Sequence, residues 1–141
     1  MNLSDLLKKH MVEKIDADLK HAKELLESAD RDLKAAEDNL KTNHPEWALA
    51  ISYNAMLSAG MALMAHKGYR TFAEAHHLAV IQFCAAILPK ESSGLVSTFN
   101  RYRVRRHDVV YGESEAVGED EAGRAIENAK KFVSEIKEKI K

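Results

Sequence analysis

The segment Pro45 to Lys67, PEWALAISYNAMLSAGMALMAHK, most constrains the fold of this chain. Drawn as a helix, it is apolar around most of its circumference, and such a helix needs neighbours on several sides. Ala48, Ala50, Ala55, Ala59, Gly60, Ala62 and Ala65 are small enough to let those neighbours come close. The segment is therefore predicted to be the central helix of a packed bundle. Thr42-Asn43-His44-Pro45 is a stop and restart, with Asn43 or His44 as the cap and Pro45 at the first helical position. Gly68 is expected to cap the carboxy end.

The flanking segments supply the neighbours. From about Val12 to Lys41, Ile15, Leu19, Ala22, Leu25, Leu26, Ala29, Leu33, Ala36 and Leu40 recur at three and four, opposite a face of alternating charges. From Glu119 to Lys141, Ala122, Ile126, Ala129, Phe132, Val133, Ile136 and Ile140 share one face. Ser4 is expected to cap a short first helix edged by Leu3, Leu6, Leu7 and Met11. A third main helix is predicted from Thr71 to about Leu88, limited by Pro89. A fourth runs from about Leu95 to a break at Gly112 to Gly118. No convincing strand, repeat or low-complexity tract is visible. The predicted fold is all-α, an antiparallel up-and-down bundle of four main helices plus a shorter extra one, in a single domain over residues 1–141.

Composition narrows the functional classes. With 45% apolar and 30% charged residues, a chain of 141 can bury a real core without disulfides or metals. Cys84, within AVIQFCAAIL, reads as a small core residue, and a reducing cytoplasm is expected. No uninterrupted apolar run reaches the roughly 18 residues of a membrane span. The start, MNLSDLLKKHMVEK, lacks a secretory apolar core. No membrane partner is expected. His66, His76 and His77 do not follow a zinc spacing, and no glycine-rich phosphate loop is present, so neither metal nor cofactor is expected.

Chemistry concentrates in Arg101 to Gly112, RYRVRRHDVVYG. Four arginines face one aspartate there, although the whole chain has a formal net charge of only -1. At about 100° per residue, Leu95, Phe99, Tyr102, Arg106 and Val109 form one stripe. Arg106 thus points to the apolar side, where it needs a carboxylate, a carbonyl, a phosphate or a covering subunit. Arg103, His107 and Tyr111 share a second edge. Arg101, Arg105 and Asp108 form the opposite flank, with Asp108 or the acids after the break available to relieve repulsion. Arginine holds phosphates bidentately, and histidine moves protons near neutral pH. Elsewhere, Tyr53 and Asn54 need partners within a near-central helix; they either line a cleft beside the arginines or make structural hydrogen bonds. His77 reads first as a satisfied packing histidine, with a cleft-facing edge as the alternative, and Met56, Met61 and Met64 read as core filling.

Several of these segments resemble one family. AISYNAMLSAGMALMAHKGYR is similar to the second helix of HEPN domains, and AEAHHLAVIQF to the helix that follows it. RYRVRRHDVVYG falls where the family keeps its signature of arginine, four to six residues, then histidine. The resemblance covers nearly the whole chain. It implies a helical bundle that often dimerises, bringing signature residues of two subunits into one cleft. Active members are metal-independent ribonucleases, frequently toxins encoded beside a nucleotidyltransferase-like antitoxin; others are non-catalytic modules that bind nucleotides or partners.

Two alignments with the signature stay open. One pairs Arg101 with His107; on a straight helix these two diverge by about 120°. The other starts at Arg106 and reaches Tyr111, and a tyrosine hydroxyl is a poor base at pH 7. The catalytic candidates are accordingly Arg101, Arg106 and His107. Arg103, Arg105, Asp108, Tyr111 and Tyr53 are candidates for binding RNA or nucleotide or, for Tyr111, for nucleotide transfer by the partner.

Overall fold

The computed structural model describes residues 1–72, 77–112 and 116–141. In chain order the elements are α1 (Leu3–Lys8), β1 (Val12–Lys14), α2 (Leu19–Lys41), α3 (Pro45–Lys67), β2 (Tyr69–Thr71), α4 (His77–Ile87), α5 (Ser93–Tyr111) and α6 (Glu119–Ile140). A short 3-10 turn, Lys90–Ser92, precedes α5. The architecture is the expected all-α bundle, and α3 is its centre. It touches α2, α4, α5, α6 and β2. By mean hydropathy α3 is long and apolar enough to cross a bilayer, although no uninterrupted apolar run is, yet 72% of its most apolar window is buried against the rest of the chain. It is a core helix by placement.

Small residues set the packing distances. Ala22, Ala29 and Ala36 of α2 are fully or almost fully buried and recur every seventh residue, so they keep one seam turned inward. At Gly60 of α3 an added Cβ would lie 2.7 Å from Val80 Cγ1 and 3.3 Å from Cys84 Sγ. Only hydrogen fits there, because α4 comes so close. Cys84 is buried, and burial pushes its thiol pKa up to about 12, so it is an inert core group. An aromatic series crosses the core: Phe132 to Phe99 is 5.0 Å between ring centroids, Phe99 to Tyr53 5.7 Å, and Tyr53 to His77 5.7 Å.

The main departures lie at the amino-terminal side. Val12 does not start the long helix. Val12–Lys14 pairs antiparallel with Tyr69–Thr71, in register Val12 to Thr71, Glu13 to Arg70 and Lys14 to Tyr69. Thr71 therefore closes a strand instead of starting a helix. Three-residue strands are too short to show alternation, and each is made by a partner more than fifty residues away. A Glu13–Arg70 ion pair and the Lys14 ammonium over the Tyr69 ring, 4.5 Å from its centroid, tie the ribbon together. Asp18 caps α2 by accepting the backbone N–H of His21, leaving Leu19 exposed.

Smaller corrections concern the caps. Asn2, and not Ser4, caps α1, in a reciprocal pair with Asp5. His44 stands at the cap position of α3 without a side-chain cap bond, behind Asn43 in the left-handed region at φ 66°. Gly68 ends α3 at φ 85°, as expected, and an added Cβ there would lie 2.8 Å from the Ile15 carbonyl oxygen. His76, Glu113 and Glu115 lie outside the described residues.

Candidate functional site

The arginines of α5 separate around the helix as its phase requires. Phe99 and Tyr102 are buried, and Tyr102 accepts a hydrogen bond from Asn128 of α6 at 3.1 Å. One turn on, Arg106 follows them toward the bundle. Its guanidinium carbon lies 5.8 Å from the Tyr53 ring centroid, at the outer edge of a cation–π contact. Arg106 Nε is buried and has no hydrogen-bond partner among the described residues. The hydrogen-bond partner that this buried N–H requires is thus not supplied by the described residues.

Around Arg106 the side chains come from three helices. Tyr53 of α3 is fully buried, and its hydroxyl lies 3.0 Å from Nδ1 of His77 at the start of α4. Burial pushes the Tyr53 phenol up to about 12, against the opposing pull of Arg106 and Arg103, so it stays protonated at neutral pH. Burial, then the charges of Arg106 and Arg103, lower the pKa of His77 and favour a neutral imidazole. Arg103, half-buried, is held by Asn100, whose Oδ1 accepts from Nε at 3.0 Å. Among the described residues, the result is two guanidiniums, a phenol and a neutral imidazole in one corner, with positive charge in excess. That corner fits an anion carrying hydrogen-bond acceptors.

The opposite flank is different in kind. Arg105 forms a two-point bridge with Glu121 of α6, Nε to Oε2 at 2.8 Å and Nη2 to Oε1 at 2.9 Å. The Arg105 hydrogen bond, helped by the charges of Arg105 and Arg124 and opposed by burial, holds the Glu121 carboxyl below its ordinary range. Arg101 donates to Thr98 Oγ1 at 3.1 Å and lines the same α5–α6 groove, with Asp108 and Arg124. Of these arginines, Arg105 is paired with an acid, and Arg101 lies near Asp108 in the same groove.

His107 faces solvent, with its side chain 61% exposed. It stacks on Tyr111 at 4.6 Å between centroids, and its Nδ1 lies 3.9 Å from Asp108 Oδ1. Tyr111 is exposed at the end of α5. The second edge read from the sequence is thus a physical stack. The groove that holds Arg101 does not include His107.

His77 is a satisfied histidine, its Nδ1 3.0 Å from the Tyr53 hydroxyl, and that contact also sets it beside the arginines. The available signal for that contact was Tyr53 itself, a phenol in a central helix that needs a partner. Met56 and Met64 fill the core, but Met61 is partly exposed.

Comparison with known proteins now bears on the fold. A family model of the HEPN domain matches residues 22–140. Among solved structures, the chain is similar to the crystal structure of TT1696 from Thermus thermophilus, with 21% sequence identity and a TM-score of 0.67. That similarity covers 84% of this chain and 97% of the other. At such identity the likeness carries the fold alone. No curated protein matches the chain.

Proposed function

From the premise that this chain belongs to the HEPN domain family, we propose that it binds a nucleotide or RNA phosphate at Arg106 and Arg103. One observation carries this reading: the buried Arg106 Nε without a hydrogen-bond partner among the described residues, beside a second guanidinium and the Tyr53–His77 pair. A phosphate oxygen completes such a group with a charge-assisted bond, and the remaining oxygens fit Arg103 and the phenol. Because α5 carries this edge at the surface of one chain, a homodimer that apposes two such edges would close the site.

The exposed His107–Tyr111 stack favours a second reading. In that reading the protein is a metal-independent ribonuclease of a toxin–antitoxin pair, with His107 exchanging the proton of the 2′-hydroxyl or the leaving oxygen. Tyr111, two-thirds exposed, is accessible to nucleotide transfer by a nucleotidyltransferase-like partner.

One experiment separates the readings. Short labelled single-stranded RNA is titrated with the protein in chelator, and both anisotropy and chain length are followed. Arg106→Gln should lose binding and His107→Ala should keep it; equal binding by wild type and Arg106→Gln rejects the phosphate site. Cleavage by wild type that is absent in His107→Ala supports the nuclease, and intact RNA throughout rejects it.

A further inference from the structure

Tyr53 and His77 share one hydrogen bond, and its direction decides what the phenol can offer to an anion. The Tyr53 hydroxyl lies 3.0 Å from His77 Nδ1, its only hydrogen-bond partner among the described residues. Tyr53 is fully buried, so its proton needs an acceptor. A neutral imidazole carries one proton, and Nδ1 accepts when that proton is on Nε2. Without a competing acceptor, the phenol donates to Nδ1 and its proton is committed there.

Two other states of His77 reverse that bond. With its proton on Nδ1, or with both nitrogens protonated, the imidazole donates to the phenol oxygen. The phenol proton then turns away from His77 and is free for another acceptor. A residue of α4 thus sets whether a residue of α3 can donate to a ligand held by α5.

The surroundings of His77 decide which state wins. Tyr53 meets it from α3, and Arg106 and Arg103 act on it from α5. On its other side it lines the cavity between α2, α3 and α4, together with Asp18 and His21 of α2 and Arg70 of β2, the last paired with Glu13. That cavity gives the ring a side from which protons can exchange with water. Burial, and then the charges of Arg106 and Arg103, disfavour the charged imidazole. An anion at those guanidiniums offsets their charge and lifts part of that penalty.

We propose that His77 is a positioning residue for the phosphate site: it holds the Tyr53 proton until an anion binds, and then turns it toward the anion by presenting a protonated Nδ1. The inference rests on the phosphate reading above and adds its regulation. The phenol keeps its proton throughout and only its direction changes, while the imidazole proton moves by exchange with water. Anion affinity rises as pH falls through the titration of His77, and by reciprocity the bound anion favours the protonated ring.

Sulfate, which keeps its charge across this range, tests the device on the full chain. Its affinity for wild type should rise about tenfold from about pH 8 to about pH 5, the size of one added charge-assisted hydrogen bond. In His77→Gln the affinity should stay level across the same range, because an amide does not titrate. At about pH 8, nitrogen chemical shifts of the His77 ring should show the proton on Nε2 without sulfate and on Nδ1 with it. Tyr53→Phe, which preserves the core ring, should abolish that tautomer change. A tautomer that ignores saturating sulfate, one that still responds in Tyr53→Phe, or an undiminished pH response in His77→Gln overturns the positioning role while leaving the phosphate site standing. Failure of wild type to bind sulfate at any pH overturns both.

Discussion

Arg105 and Arg106 are adjacent in the chain and opposite in circumstance. Arg105 turns toward α6 and is held at two points by Glu121. Arg106 turns toward α3 and finds an aromatic face, a protonated phenol and a neutral imidazole, none of which neutralises it. The difference is one residue of helical phase, about 100°. What it teaches is that local basicity says little about anion binding until each guanidinium's own carboxylate has been found. The bridged flank is tied to α6, and the other flank is where the proposed anion would sit.

The largest expected contrast is therefore in ligand affinity. Arg106→Gln should lower phosphate affinity about 10- to 100-fold, the range of a charge-assisted hydrogen bond, while the midpoint of thermal unfolding stays level or rises. Arg105→Gln should leave that affinity within about twofold, because its charge is already spent on Glu121. Comparable losses in the two variants would erase the distinction between the flanks.

Stability should respond the other way round. Arg105→Ala should cost about 1 kcal/mol in denaturant unfolding near neutral pH, discounted for the partial exposure of the pair. Glu121 has its pKa lowered below the ordinary 4.5, so this contribution is present above that value and lost as pH falls through the folded one. The gap between wild type and Arg105→Ala should close in that window. A gap that persists in acid would mean that packing, and not the ion pair, is what Arg105 supplies.

The smallest effect concerns His77. Its pKa is lowered from 6.5 in the folded state, so the unfolded chain takes up the proton first as pH falls below that value. Wild type should lose some stability between 6.5 and the lowered pKa, and His77→Gln should lack that slope. Identical pH profiles for the two would show that His77 titrates as a solvent-exposed histidine does. The same variant should leave the Arg105–Glu121 side unaffected.

Much of the fold was legible, because helical periodicity is a local property. The limits of α3, its central place and the amphipathic faces of α2 and α6 all follow from which residues recur at three and four. Gly68 as a left-handed cap was equally readable, since few other residues adopt that conformation without strain. The β1–β2 ribbon was not, since Val12–Lys14 carries no alternation and becomes a strand only beside Tyr69–Thr71. Extending the α2 pattern backward over it was the error, and Asp18 before Leu19 was the available stop signal.

The candidate site divides along the same line. By itself the sequence determined that Arg106 shares a stripe with Phe99 and Tyr102, and that His107 and Tyr111 share another, because phase within one helix depends on nothing else. The tertiary structure alone decided which of those groups acquires a counter-charge. It set Glu121 against Arg105, Tyr53 and His77 against Arg106, and opened a cavity beside them between α2, α3 and α4. Such pairings are made across helices by packing, and Coulomb and hydrogen-bond energies depend on distances that spacing along the chain does not encode.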